Sequence, residues 1–262
     1  MKHLRSIAGA HSSHVELVEI DGKEFVLKTA EPEEVMNEHL FQQELKKAGM
    51  PSLWTSRDDL PNNQLLLEFV PNSPSLNSNL TVDMCKKWGS TVKTMHSITQ
   101  SQTSRIDDDG NSHVIDWKRF LVQELYDAKE RKARKNSDIS DHAFEVLERE
   151  IEKIETPDQY SLIHADLHSN NVLIRGGELV LFDKGSAVFF GDPLYDLPLV
   201  LCELASENDQ SPELWSPFLE EYGKVNEINL LRYSLLRFVG RYPNPFTLQL
   251  KNLIETFVIK LQ

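Results

Sequence analysis

Apolar and polar residues alternate through Val15-Glu16-Leu17-Val18-Glu19-Ile20, and the pattern resumes at Phe25-Val26-Leu27-Lys28 after Asp21-Gly22. A period of two predicts strands, and Asp-Gly between two such runs is a hairpin turn, so Lys28 stands at the end of a β-hairpin. Pro32, followed by Glu33 and Glu34, opens a helix whose buried side is Val35, Phe41, Leu45 and Ala48, and Gly49 with Pro51 stops it. Glu38 lies in the middle of that helix. A polar turn from Asp58 to Asn63 leads into Gln64-Leu65-Leu66-Leu67-Glu68-Phe69-Val70, a buried strand, which runs straight into Pro71-Asn72-Ser73-Pro74. This change of composition marks a hinge between two lobes.

Beyond the hinge the period lengthens to that of helices. Met84, Trp88, Val92 and Met95 mark one, and Phe144, Leu147, Ile151 and Ile154 another. Three short strand-like runs interrupt them: Tyr160 to Ile163, Val172 to Ile174, and Leu179 to Phe182. The last two are joined by the tight turn Arg175-Gly176-Gly177-Glu178. Pro198 falls inside the apolar run from Leu194 to Leu204, which predicts a helix that starts late or kinks.

The chemistry is concentrated between those strands, in His164-Ala165-Asp166-Leu167-His168-Ser169-Asn170-Asn171 and in Phe182-Asp183-Lys184-Gly185. Phosphoryl transfer from a magnesium nucleotide needs a group to accept the proton of an attacking hydroxyl and hard oxygen ligands for the metal. Asp166 suits the first role, and the Asn171 amide oxygen and Asp183 carboxylate suit the second. The HxDxxxxN spacing alone is a weak signal, which the flanking strands sharpen by bringing Asp183 within reach of the loop. His164 and His168 have the i, i+4 spacing of a zinc pair, but Ser169-Asn170-Asn171 and the β-branched Val172 and Ile174 argue against a shared helix. His164 is expected to hold the loop by hydrogen bonds instead. Asp107-Asp108-Asp109-Gly110-Asn111 lacks the later oxygen ligands of a calcium loop and reads as a solvated turn. The basic run from Lys129 to Lys135 reads as the wet face of a helix.

Composition narrows the partners. At 262 residues the chain suffices for two lobes but is short for two independent domains. A formal net charge of -13 disfavours nucleic acid and anionic membranes and favours a cationic substrate. Cys85 and Cys202 lie in apolar helical patterns without metal or redox spacing, as in a reduced compartment. No apolar run is long enough for a signal peptide or a membrane span, so a cytoplasmic protein, monomeric or weakly dimeric, is expected.

With Lys28, Glu38, the hinge strand, Asp166, Asn171 and Asp183 in this order, the chain resembles the aminoglycoside phosphotransferase and choline kinase superfamily. HADLHSNNVLI and FDKGSAVFFGDPLYDL are similar to that family's HGDLHxxNIL and DxxxxxxGDPxYDL signatures. The resemblance implies an α+β, protein-kinase-like bilobal fold. Residues 1–70 would form a small antiparallel sheet lobe with one helix, and residues 71–262 a larger helical lobe carrying the catalytic hairpins. It implies ATP or GTP with Mg2+ as cofactors, Lys28 on the nucleotide phosphates, and Glu38 holding Lys28 as an ion pair, with Glu34 as a rival. A phosphate-covering loop falls at Gly9-Ala10-His11-Ser12-Ser13, with Ser12 and Ser13 near the phosphates, and adenine hangs from backbone groups around Glu68 and Val70. Asp192 and Asp196 are assigned a structural role. Lys184 stands where many relatives carry an apolar or aromatic residue, so it either meets phosphate or points to solvent. The short separation of Asp183 from Asp192 and the absence of an APE motif disfavour a protein substrate.

The implied activity is transfer of the γ-phosphate to a hydroxyl of a small molecule, foremost an aminoglycoside-type antibiotic. The alternatives are a metabolic kinase for choline, ethanolamine, homoserine or a sugar, and a nucleotide-binding regulator that has lost catalysis. Glu203, Glu207, Asp209, Glu213, Glu220, Glu221 and Glu227 are candidates to line a pocket for a polycation, against their reading as wet helix faces. Trp215, Phe218, Tyr222, Tyr233 and Tyr242 are candidates to enclose a quaternary ammonium, against their reading as core.

Overall fold

The computed structural model describes residues 1–7, 13–135, 138–185, 188–206, 211–241 and 247–262, by backbone alone at 205–206, 211–213 and 247–251. The chain opens on an antiparallel sheet of β1 (Lys2–Ser6), β2 (His14–Ile20), β3 (Lys23–Thr29), β4 (Thr55–Ser56) and β5 (Gln64–Glu68), in the order β1-β2-β3-β5-β4. The β2–β3 turn places Asp21 at φ 51° and Gly22 at φ 74°, the left-handed pair that a two-residue hairpin turn needs. Its register sets Lys28 opposite Val15 on one side and Leu65 on the other.

Helix α1 (Pro32–Lys47) crosses this sheet, starting on Pro32 and carrying Glu33 and Glu34 in its first turn and Lys46 and Lys47 in its last. That charge order complements the helix dipole. Ala48, expected on the buried side, is exposed beyond the helix end. The buried face instead includes Asn37, Glu38 and Gln42 beside Val35, Phe41 and Leu45, which an apolar periodicity cannot reveal. The strand β5 stops at Glu68, two residues short of the apolar run.

The remainder is mostly helical. Its elements are α2 (Val82–His96), β6 (Thr99–Gln100), β7 (Ser104–Ile106), β8 (Ser112–Val114), α3 (Trp117–Lys135), α4 (Asp141–Ile151), β9 (Tyr160–Leu162), β10 (Val172–Arg175), β11 (Glu178–Leu181), β12 (Phe190–Gly191), α5 (Leu197–Ser206), α6 (Ser211–Tyr222), α7 (Glu227–Arg241) and α8 (Thr247–Leu261). Strands β10 and β11 form the expected ribbon, and β6-β9-β12-β7-β8 form a second sheet. Helix α5 begins at Leu197 and so admits Pro198 in its first turn, as the sequence predicts. The aspartate-rich turn between β7 and β8 closes on itself, with Asp107 accepting from the backbone amides of Asp109 and Asn111.

Two apolar cores hold these elements. One gathers Trp117, Leu121, Phe144, Leu147, Tyr195, Tyr233 and Phe238 between α3, α4 and α7. The other joins Trp88, Val92 and Met95 to Leu162, Leu181, Val200 and Phe218. Helices α2 and α6 approach so closely at Gly89 that a Cβ there would lie 2.2 Å from the Phe218 carbonyl oxygen. The aromatics proposed from sequence as a cation cage belong here: Trp215 stacks on Phe218 at 5.3 Å and Phe218 on Tyr222 at 5.8 Å. Phe218 and Tyr233 are core, Trp215 and Tyr222 are half-buried against it, and Tyr242 lies outside the described residues.

Candidate active site

Strand β9 ends just before His164, and the loop that follows is fixed by Asp196 from the start of α5. The Asp196 carboxylate, wholly buried, accepts the backbone amides of His164 and Ala165, each at 2.7 Å, and Nε2 of His96 at 3.2 Å. His164 in turn donates from Nε2 to the Phe182 carbonyl at 2.9 Å. Burial pushes its imidazole below the ordinary range, so it stays neutral and serves as a strut. The Gly185 amide donates to the His164 carbonyl at 2.8 Å, so the loop before β10 and the loop after β11 are sewn together. A Cβ on Gly185 would meet the Ala165 carbonyl carbon at 2.8 Å and Asp166 Cβ at 2.9 Å. Ala165 and Asp183 both adopt left-handed backbone conformations, φ 64° and 56°. Strain of this kind gathers at functional sites.

These contacts bring Asp166, Asn171 and Asp183 to one place. Asn171 donates from Nδ2 to the Asp166 carbonyl at 3.0 Å, to Asp166 Oδ2 at 3.3 Å and to the Asp183 carbonyl at 3.4 Å. Lys28 reaches across from the N-terminal sheet and pairs with Asp183 Oδ1. Burial opposes its charge, but the Asp183 and Glu38 carboxylates outweigh that and hold the ammonium above the ordinary lysine range. Asp166 Oδ1 is paired with Arg241 of α7, and His168 Nε2 lies 3.4 Å from Oδ2. Burial would raise the Asp166 carboxyl, yet the His168 hydrogen bond and the Arg241 charge hold it well below the usual carboxylate range.

The expected Lys28–Glu38 ion pair is not formed. Glu38 is fully buried, with Oε1 accepting from Gln42 at 2.9 Å and Oε2 from the Lys184 amide at 2.6 Å. Its carboxylate therefore orients the loop carrying Asp183 and acts on Lys28 only through its charge. Glu34 likewise acts on Lys28 only through its charge. Lys184 meets neither of its two expectations: it is buried and donates to the Gly185 and Val188 carbonyls at 2.8 and 2.7 Å. Burial lowers its pKa to about 8.

Of the expected phosphate loop, Gly9, Ala10, His11 and Ser12 lie outside the described residues, and Ser13 is half-buried just before β2. Glu68 accepts from Arg175 at 3.1 Å, and Arg175 also donates to the Ser52 carbonyl at 3.1 Å, tying the β10–β11 ribbon to the N-terminal sheet. Val70, like Val26, Leu173 and Phe182, is half-buried and packs against the cluster of Val35, Leu53, Leu65, Leu67 and Val180, which draws on both parts of the chain.

A cavity of about 370 Å³ opens beside these groups, lined by Lys28, Asp166 and Asp183 on one side and by residues of α3 and α7 on the other. The anticipated acidic residues whose side chains are described do not line it. Glu203 accepts from the Ser169 amide and hydroxyl, and Glu220 pairs with Lys86 at 2.9 Å. Glu221 and Glu227 are exposed, Glu207 and Asp209 lie outside the described residues, and so does the side chain of Glu213. What lines it instead is Arg131, Arg237 and Arg241, which sequence reasoning missed. Their only signal is the spacing of Arg237 and Arg241, which puts two cations on one helical face.

Asp183 and Asn171 offer one carboxylate and one amide oxygen. That is a donor set suited to magnesium, which takes one or two protein oxygens and completes its shell with phosphate and water. Among the described residues no group of three or more His, Cys, Asp or Glu is placed to hold a metal, and no helix is long and apolar enough to cross a membrane.

The fold has close counterparts among solved structures. The aminoglycoside phosphotransferase APH(4)-Ia superposes with a TM-score of 0.70 at 14% identity, covering 98% of this chain and 93% of that one. Choline kinase LicA from Streptococcus pneumoniae does so with a TM-score of 0.67 at 15% identity, covering 100% and 94%. Spectinomycin phosphotransferase APH(9)-Ia, in complex with ADP and spectinomycin, gives 0.61 at 16% identity, covering 98% and 91%. At these identities the likeness establishes the protein-kinase-like α+β fold. No curated protein matches the chain by sequence. The model of the APH phosphotransferase enzyme family, however, matches residues 3–236, and with the signature loops assembled as described the chain belongs to that family.

Proposed function

We propose that this protein transfers the γ-phosphate of ATP, or GTP, to a hydroxyl group of a small molecule that enters the cavity between Asp166 and helices α3 and α7. The observation that carries this reading is the convergence of Lys28, Asp166 and Asp183 on one cavity, with Asn171 hydrogen-bonded to Asp166. The base would hang from backbone groups around Glu68 and Val70, next to the half-buried apolar side chains there. Lys28 would leave Asp183 for the nucleotide phosphates and neutralise charge that develops on them. Asp183 and Asn171 would hold magnesium, which supplies charge neutralisation between the phosphates. The acceptor oxygen attacks the γ-phosphorus in line and forms a new P–O bond. The bond from that phosphorus to the bridging oxygen breaks, and the nucleoside diphosphate leaves with the electron pair. Asp166 takes the hydroxyl proton and returns it to solvent. Positioning and charge account for the acceleration, with no covalent intermediate on the enzyme. A nucleotide triphosphate donor supports the expectation of a cytoplasmic reaction.

Solved relatives bound to hygromycin B and to spectinomycin put aminoglycoside-type antibiotics first in an acceptor panel, followed by choline, ethanolamine, homoserine and sugars. The test is phosphate transfer from labelled ATP to that panel with and without magnesium, with Asp166→Ala beside the native chain. Transfer that needs magnesium and falls at least about a thousandfold in the variant, while nucleotide binding persists, is expected from loss of the base and its positioning. Unchanged turnover in Asp166→Ala would refute the assignment, and nucleotide binding without magnesium-dependent hydrolysis or transfer would leave a regulator in its place.

A further inference from the structure

The wall of the cavity facing Asp166 carries three arginines against one carboxylate, Glu124, with Glu34 across from them beside Lys28, although the chain as a whole carries a net charge of -13. Arg237 and Arg241 stand one turn apart on α7, and Arg131 comes from α3. Arg131 lies against Gly240, where a Cβ would stand 3.4 Å from Arg131 Nη2, an ordinary contact. Like charges at such spacing repel, so a cluster of this kind needs compensation.

The compensation inside the structure is incomplete. Arg237 is spent on architecture: it donates to the Tyr195 hydroxyl at 2.6 Å and to the Ala165 carbonyl, and lies over the Tyr195 ring at 4.2 Å. Even so, its Nε is buried without a partner. Arg241 is paired through Nη2 with Asp166 alone among the described residues. Arg131 has no ion-pair or hydrogen-bond partner among the described residues, and its Nε is buried and unsatisfied. Glu124, the carboxylate on the same wall, is engaged by the Tyr195 hydroxyl at 3.0 Å and stands 4.0 Å from Arg237. A buried guanidinium donor left unpaired is costly, and its fork matches a carboxylate or a phosphate.

We infer that Arg131 and Arg241 bind an anionic group of the acceptor, a carboxylate or a phosphate ester, and so present the acceptor's hydroxyl to Asp166. This rests on the phosphotransferase reading and narrows it: the average field of the protein favours a cation, but the field where the acceptor sits is set by these arginines. An arginine that touches both Asp166 and the acceptor's anion places hydroxyl and anion only a few bonds apart, as in a short hydroxy acid or a phosphorylated polyol. Arg237 is a positioning residue, acting through the Ala165 carbonyl on the catalytic loop.

The test is calorimetric titration of the full chain, saturated with AMP-PNP and magnesium so that the nucleotide's own phosphate site is filled. The probes are malonate and inorganic phosphate. At least one is expected to bind, at least tenfold more weakly in Arg131→Gln and with partial recovery in Arg131→Lys, while AMP-PNP affinity stays within twofold and the thermal midpoint is kept. Preference for malonate identifies a carboxylate acceptor, and preference for phosphate a phosphate ester. Equal affinity in native and Arg131→Gln chains, or binding of neither anion to a chain that holds AMP-PNP, would overturn the inference and leave the kinase reading standing. Failure to bind AMP-PNP with magnesium would remove both.

Discussion

Replacing Asp196 by asparagine tests whether the catalytic loop is held by a single buried carboxylate. The native carboxylate accepts two backbone amides at 2.7 Å and His96 at 3.2 Å, at a position with no solvent exposure. Hydrogen bonds to a charged group are worth about 1.5–3 kcal/mol each, and an orphaned buried donor costs about 1–3 kcal/mol. Asparagine keeps one acceptor oxygen but turns an amide hydrogen toward one of the two backbone donors. Removal of a buried charge returns part of the loss, because a neutral side chain needs no desolvation. The net expectation is a loss of about 3 kcal/mol, or about 6 °C in melting midpoint for a chain of this size.

The pH dependence of that loss follows from linkage. Burial opposes the Asp196 charge, but the His96 hydrogen bond and its neighbours outweigh it and hold the carboxyl below its ordinary 3.8. A depressed carboxyl stabilises the folded state in full above the unfolded value and loses that contribution as pH falls toward the folded one. The gap between native and Asp196→Asn chains should therefore be constant from about pH 7 to 5 and narrow below about pH 4. Guanidinium unfolding curves at each pH give both numbers. A loss under about 1 kcal/mol at pH 7, or a gap that widens on acidification, would refute the reasoning.

Gly185→Ala should lower turnover at least about a hundredfold and stability by about 1–3 kcal/mol, since its Cβ would press on Ala165 and Asp166; steady-state kinetics and melting curves measure both. Burial pushes the Cys85 and Cys202 thiols up to about 11, so native protein at pH 8 should react with a disulfide reagent far more slowly than unfolded protein; two fast native thiols would contradict this. Arg175→Ala should cost no more than about 1 kcal/mol in denaturant titration, because its pair with Glu68 is partly solvated on both sides. Ala165→Gly should raise stability by up to about 1 kcal/mol, as relief of the left-handed alanine exceeds the added entropy of glycine, and a drop in melting midpoint would count against the strain at this residue.

Much of the architecture was legible because it depends on local physics. The alternation around Asp21-Gly22 predicted β2 and β3, Pro32 and Gly49 bracketed α1, and Pro198 set the start of α5, each through backbone preferences that act over a few residues. The motif loop was legible for another reason: Asp166, Asn171 and Asp183 are close in sequence, so a ribbon turn suffices to bring them together. By itself, then, the sequence determined the first hairpin, helix α1 and the hinge strand, the loop that carries the motif residues and the α+β character, but not the small second sheet.

Only the tertiary structure decided which charges meet. Glu38 turns to the Lys184 amide rather than to Lys28, Lys28 pairs with Asp183 at a separation of 155 residues, Glu203 turns to Ser169, and the cavity is lined by Arg131, Arg237 and Arg241 beside Glu34 and Glu124. Partners so distant along the chain leave no periodic trace, because packing chooses them by competition among several carboxylates and cations of equal local merit. The N-terminal hairpin was therefore predictable from one local stretch, whereas the arginine lining of the cavity became visible only with α3 and α7 set against Asp166.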